Sequence, residues 1–265
     1  MTTVLAAVDA TAAARPVLQT ACRLAHALDA DVMALHVGED PGPARAVAEE
    51  LGTSLITVSG EPADQIVRIG ERPDVALVVV ALSGVPARHE PGQTAQAVAT
   101  RLSKPVLVVP PDSPPRRTFT RVLFPLDGTR GVSAALRPLI TTYVAAGFDV
   151  IALHVFRPDT VPRFLDSAED IDVWRAEFLT EHCTDLGIRL ATRPGPTADS
   201  LLDVAASEDV DVIAMGWRQD FSPHHALVVR KVLTEADRPV ALIPLTDESW
   251  PRRSVTQTFR DPDVP

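Results

Sequence analysis

The stretch Val4 to Val37 recurs 118 residues later as Val122 to Val155 without a gap, and twelve of its 34 positions are identical. Chance at this composition would give about two or three. The matches include Asp9 with Asp127, Thr11 with Thr129, and the block Ala34-Leu35-His36-Val37 with Ala152-Leu153-His154-Val155. An internal duplication of this kind predicts two copies of one fold. Each copy reads as an apolar run ending at an Asp, a long helix-forming stretch, and a second apolar run. Short runs that are apolar throughout, joined by crossover helices, suit a parallel sheet buried on both faces. The expected fold class is α/β, two Rossmann-like domains, each a five-stranded parallel sheet flanked by helices.

A chain of 265 residues divides naturally into two domains of roughly 110 to 130 residues, each able to bury its own core. The net charge of −10 is spread over both halves, so no basic stripe offers itself to nucleic acid or to an anionic membrane. The longest apolar run, Val75 to Leu82, is far too short to cross a bilayer, and Met1-Thr2-Thr3 leads straight into a strand. These features predict a soluble cytoplasmic protein. Cys22 and Cys183 fall at non-equivalent places in the two copies, which predicts free, buried thiols on helices and neither a disulfide nor a metal pair.

In the first copy a helix is expected from about Ala12 to Leu28, with Asp9 and Thr11 supplying side-chain oxygens at its entry and Pro16 in its first turn. Helices follow at Ala44 to Leu51, Pro62 to Gly70 and Thr94 to Leu102. Strands are expected at Thr53 to Val58, Val75 to Leu82 and Pro105 to Val109. Pro110 to Arg117 reads as a stiff, extended linker. The second copy repeats the plan, with an insertion from Arg157 to Val173 whose acidic run reads as a solvated loop, and a helix from Trp174 to Leu186. Later elements are expected at Ile188 to Thr192, Ala198 to Ala206, Val210 to Gly216, Leu227 to Ala236 and Pro239 to Leu245. Gly60, Ala63 and Asp64 match Gly195, Ala198 and Asp199, and Lys104-Pro105-Val106 matches Arg238-Pro239-Val240, so the duplication spans whole domains. The expected boundaries are 1–112 and 118–247 for the domains, 113–117 for the core of the linker, and 248–265 for a C-terminal tail in which Trp250 is a candidate to dock.

Ligands of open parallel sheets sit outside the carboxyl ends of the strands, where the strand order reverses. The candidates are Asp9 and Asp127 at the ends of the first strands, and the loops that start at Ala81 and Gly216. This plan, a strand ending Asp-x-Thr, a helix, a second strand ending Leu-His-Val and a last strand opened by Pro, resembles the universal stress protein family, with the chain as a tandem member. In ATP-binding members, the resemblance implies, the loop after the fourth strand carries Gly, two residues, Gly, nine residues, then Gly-Ser or Gly-Thr. Its glycines let backbone N–H groups close on phosphate, and the next helix N-terminus adds donors.

Both copies depart from that pattern. In the first, Ala81-Leu82-Ser83-Gly84 keeps one of the first two glycines, seven residues precede Gly92, and Gln93 stands where Ser or Thr is expected. In the second, Gly216 keeps the first glycine, but Ala226-Leu227 stands in place of Gly-Ser. Trp217 and Phe221 are expected to fill the space a nucleotide would occupy. The candidate binding residues are therefore Asp9, Thr11, Val37, Ala81, Gly84, Gly92 and Gln93 in the first copy, and Asp127, Thr129 and Gly216 in the second.

His36 and His154 read as hydrogen-bonded structural residues, and neighbouring His224 and His225 face different sides of a helix, so they form no metal site. The sequence carries no GxSxG turn, P-loop lysine or HExxH. The expectation is a non-catalytic stress-response binding or regulatory protein with degraded ATP loops and no cofactor. The alternative is an ATP- or AMP-binding switch, or a weak ATPase, in the first domain. The resemblance also implies an intramolecular pseudo-dimer through Lys104 to Val109 and Arg238 to Ile243, apolar edges that need a partner, and a further homodimer of chains.

Overall fold

The fully apolar runs form the centre of each half. The computed structural model describes residues 2–82, 92–111, 113, 118–156, 168–183, 186–222 and 226–245. In the first half, β1 (Thr3–Val8), β2 (Asp31–Val37), β3 (Ser54–Val58), β4 (Val75–Ala81) and β5 (Val106–Val109) alternate with α1 (Ala14–Ala27), α2 (Pro43–Glu50), α3 (Pro62–Gly70) and α4 (Gln93–Arg101). The strands are parallel in the order β3-β2-β1-β4-β5.

The second half repeats this with β6 (Arg121–Pro125), α5 (Arg130–Ala145), β7 (Asp149–Phe156), α6 (Ala168–His182), β8 (Arg189–Pro194), α7 (Thr197–Ser207), β9 (Val212–Trp217), α8 (Leu227–Glu235) and β10 (Val240–Pro244). The two sheets do not stand apart. β5 and β10 pair antiparallel, with Val106 opposite Leu242 and Val108 opposite Val240, so that ten strands form one sheet. The two apolar inner edges thereby satisfy each other's backbone groups.

Alternation along each strand divides its side chains between two layers. Val4, Ala6 and Val8 pack against α1, while Leu5 and Ala7 face the layer that holds α3 and α4. α1 turns Val17, Leu18, Ala21, Leu24 and Ala25 to the sheet, the spacing a helix needs for one buried face. It ends in a Schellman motif in which Ala30 N–H donates to the Ala25 carbonyl and Asp29 N–H to that of His26. The left-handed position there is held by Asp29 at φ 52°, where α5 has Gly147 at φ 82°. Lys104 and Arg238, equivalent in the two copies, anchor the last strands. Lys104 donates to the carbonyls of Arg72 and Val75, and the buried Arg238 to those of Ala205 and Val210.

Several boundaries differ from the sequence reading. α6 starts at Ala168, inside the stretch read as an acidic loop, and ends at His182, short of Leu186. Its first turn carries Glu169 and Asp170, which favour a helix start because negative charge complements the positive end of the helix dipole. The acidic run therefore signals a helix entry. Cys183 follows the last residue of α6, so only Cys22 lies within a helix; Cys183 is buried and Cys22 half-buried. Burial pushes the Cys183 thiol up to about 11. β8 runs to Pro194 and β9 to Trp217, beyond the expected ends at Thr192 and Gly216. Most of the linker, the C-terminal tail with Trp250, and His224 and His225 lie outside the described residues.

No helix among the described residues is long and apolar enough to cross a membrane.

Candidate functional site

The strand order reverses between β1 and β4 in the first domain and between β6 and β9 in the second, and each reversal opens a crevice at the carboxyl ends of the strands. The first crevice has a volume of about 380 Å³. Ala7, Leu35, Val37, Val80 and Ala81 supply its apolar floor from the strand ends, and Pro62 and Ile66 of α3 form one wall. Gly92, Gln93, Thr94 and Ala95 bring the N-terminal turn of α4 to the other. The first intrahelical bond of α4 runs from Gln96 N–H to the Gly92 carbonyl, so the N–H groups of Gln93, Thr94 and Ala95 have no partner within the helix. Those donors sit at the positive end of a helix dipole.

Two polar side chains of this crevice, Asp9 and His36, are held by hydrogen bonds with neighbouring groups. Asp9 Oδ1 accepts from the Thr11 N–H at 3.0 Å and from the Thr11 hydroxyl at 2.5 Å, and the Thr11 hydroxyl oxygen accepts in turn from the Ala13 N–H. His36 is buried, and its Nδ1 lies 3.0 Å from the Val8 carbonyl. A carbonyl can only accept, so Nδ1 carries the hydrogen. Gly38, at φ 146°, closes over the other ring nitrogen: a Cβ there would stand 2.8 Å from His36 Nε2.

The second crevice, about 450 Å³, repeats the frame with different chemistry. Asp127 Oδ1 accepts from the Thr129 N–H and hydroxyl at 2.9 and 2.8 Å, and Thr129 caps α5 by accepting from the Val132 N–H. His154 Nδ1 lies 2.9 Å from the Leu126 carbonyl. Its ring packs against Phe156, Trp174 and Phe178, at centroid distances of 4.8, 5.3 and 5.0 Å. Burial holds its pKa below the ordinary histidine value, partly opposed by the Leu126 carbonyl and by Asp127. At the helix entrance, Ala226 N–H donates to the Ser222 carbonyl, and Leu227 is exposed. Trp217 and Phe221 meet at a tilt of 52° with centroids 4.6 Å apart, and Trp217, at the edge of the crevice, packs into the layer under α7 and α8. A cavity larger than the first remains beside it, so the aromatic pair does not fill the crevice as expected.

Of the candidate residues, Asp9, Val37, Ala81, Gly92 and Gln93 come together around the first crevice, and Asp127 and Gly216 around the second. Thr11 and Thr129 stand behind their aspartates as hydrogen-bond partners. Gly84 lies outside the described residues. Pro62 and Thr197 also line the crevices and were not singled out in the sequence. The 135-residue shift that matches Ala63 with Ala198 pairs them too, and it is the signal that would have found them.

Sequence reading also missed Gln219. From the loop after β9 its side-chain amide donates to the carbonyls of Ala99 and Leu102 in the first domain, at 3.0 and 2.7 Å. Its φ of 58° shows a left-handed backbone held in place for that contact. The loop that begins one crevice is thus tied to the carboxyl end of α4, whose amino end lines the other.

Two doubly wound α/β lobes, each with a crevice at its switch point, define a class of small-molecule-binding folds that hosts many activities. Within that class, residues 118–244 match the model of the universal stress protein family. The second domain belongs to that family, and the first repeats its sequence and its fold, which makes the arrangement a tandem one. Solved structures similar over nearly the whole chain include a functionally unknown protein from Pseudomonas aeruginosa PAO1, at 16% identity and TM-score 0.67, with 93% of this chain and 94% of that one covered. A universal stress protein from Archaeoglobus fulgidus DSM 4304 is similar at 17% identity and TM-score 0.63, over 92% of this chain and 98% of that one. No curated protein sequence matches the chain.

Proposed function

We propose that this chain is a stress-response regulatory protein that acts by binding and not by turnover, in the cytoplasm and as a homodimer of tandem chains. The observation that carries this reading is the engagement of polar groups that line the crevices or, for His154, stand next to the lining in the chain. Asp9, Asp127, His36 and His154 each hold a strand end or a helix entry through a backbone or neighbouring hydroxyl contact. Each contact uses one polar atom of its side chain, Oδ1 of the aspartates and Nδ1 of the histidines, and fixes that side chain as an anchor of the fold.

A second reading has its own support. The first crevice joins an apolar slot to the α4 N-terminal amides, which have no partner within the helix, beside the Asp9 carboxylate, the features that receive an adenine base, a phosphate and a ribose hydroxyl. The first domain would then be an ATP- or AMP-responsive switch. The second domain, whose helix entrance presents Ala226 and Leu227, would have no such role.

One experiment separates them: extract small molecules from the denatured protein, then measure the melting temperature with ATP and with AMP. Binding to the folded state alone must raise that temperature by mass action. The first reading expects no nucleotide in the extract and no shift at about 1 mM ligand. A shift that Asp9→Ala abolishes and Asp127→Ala leaves intact establishes the switch.

A further inference from the structure

A third cavity, about 430 Å³, lies between the domains and away from both crevices. One side is the last turns of α1. The other is formed by Thr118, Phe119 and Thr120, which lead into β6, and by the turn after α5 at Ala146, Gly147 and Phe148. The duplication does not reproduce it. The residues equivalent to Arg23 and His26 in the second copy are Thr141 and Val144, so the cleft belongs to the tandem chain and not to the single domain.

Its chemistry is one-sided. Among the described residues, Arg23 and His26 line it and no carboxylate does. Arg15, Arg72, Arg101, Arg121 and Arg130 each pair with a carboxylate, whereas half-buried Arg23 makes no hydrogen bond or ion pair among the described residues. A guanidinium presents a planar fork of donors, and withdrawing it from water without an acceptor costs free energy that a bound carboxylate recovers.

Two helices end at this cleft, and the negative ends of their dipoles would oppose an anion. Two carbonyls of each last turn are, however, taken up in Schellman motifs: Ala25 and His26 of α1 accept from Ala30 and Asp29, and Tyr143 and Val144 of α5 accept from Phe148 and Gly147. The open full charge is Arg23. Phe119 and Phe148 supply an aromatic wall, and the volume falls in the range of small-molecule sites.

We propose that this interdomain cleft binds a small apolar anion, an aromatic carboxylate of one or two rings, with Arg23 pairing the carboxylate and Phe119 and Phe148 facing the ring. A ligand there touches both domains and stabilises their pairing. The site stands or falls independently of the nucleotide question in the crevices.

The test uses the full chain and 1-naphthoate as probe, with calorimetry for binding and the rate of iodoacetamide alkylation at Cys22, read by peptide mass, for location. Cys22 also lines the cleft. We expect saturable binding and slower Cys22 alkylation at saturation, with 1-naphthamide, which has the same body without the charge, giving neither. Arg23→Met weakens naphthoate binding about tenfold or more. Ala146→Trp, at an exposed position, fills the cleft and removes both signals without lowering the melting temperature. The proposal is overturned by naphthoate failing to protect Cys22 up to about 5 mM, by naphthamide protecting equally, or by either variant binding as the wild type does.

Discussion

Gln219 is the residue whose removal should most cleanly report how far the two domains stabilise each other. In Gln219→Ala both interdomain bonds are lost, to Ala99 and to Leu102. Each neutral hydrogen bond contributes about 1 kcal/mol net, so the change should cost about 2 kcal/mol. Ala keeps the left-handed backbone cost of about 1 kcal/mol that a non-glycine residue bears at φ 58°. Gln219→Gly loses the same bonds but is relieved of that cost, and should be destabilised by only about 1 kcal/mol. For a chain of this length about 2 °C of melting temperature corresponds to 1 kcal/mol. The expected order is therefore wild type, then Gly lower by about 2 °C, then Ala lower by about 4 °C. Scanning calorimetry and far-UV circular dichroism, run on the same samples, give the two readouts. An Ala variant within about 1 °C of wild type, or a Gly variant below the Ala variant, would refute the reasoning.

Two further outcomes follow from the second domain's histidines and from one helix end. Burial lowers the pKa of both His154 and His182 from 6.5, so the folded state holds fewer protons than the unfolded one just below that value. Stability is then present above the ordinary histidine pKa and is lost as pH falls through the depressed folded values; melting temperatures taken between about pH 7.5 and 5.5 should decline, and His154→Phe should flatten the decline. Asp29→Gly replaces a strained left-handed residue at the end of α1 and should stabilise by about 1 kcal/mol in urea unfolding, with an unchanged or lower midpoint counting against it.

Much of the fold was legible because it rests on signals that are local and repeated. Val75 to Ala81 and Val4 to Val8 are apolar on both faces, which only a doubly covered parallel sheet accommodates, and the 118-residue repeat marks where the second set begins. The crevice positions of Asp9 and Asp127 followed from topology alone. What stayed hidden depends on contacts between distant residues. Nothing near Gln219 in the chain announces that its amide reaches helix carbonyls 117 and 120 residues away. The acidic run before Trp174 was misread because a solvated loop and a helix entry attract the same residues, and only the packing of Ile171, Trp174 and Phe178 decides between them. The larger second crevice was missed for a similar reason: an aromatic residue at a strand end says how much volume it has, but not to which side it turns.

The antiparallel junction of β5 with β10 leaves β3 and β8 as the two terminal strands of a ten-membered row. These termini are unlike, one reading Ser-Leu-Ile-Thr-Val and the other carrying Arg189, Arg193 and Pro194. Addition of one molecule's β3 to another's β8 would be head-to-tail, and a head-to-tail contact that does not close into a ring grows without limit. Arginines and a proline on β8 work against such growth. Self-association into a closed pair needs the same surface on both molecules, β3 against β3 or a helix-covered face, and one polypeptide that carries both domains fixes their pairing at translation.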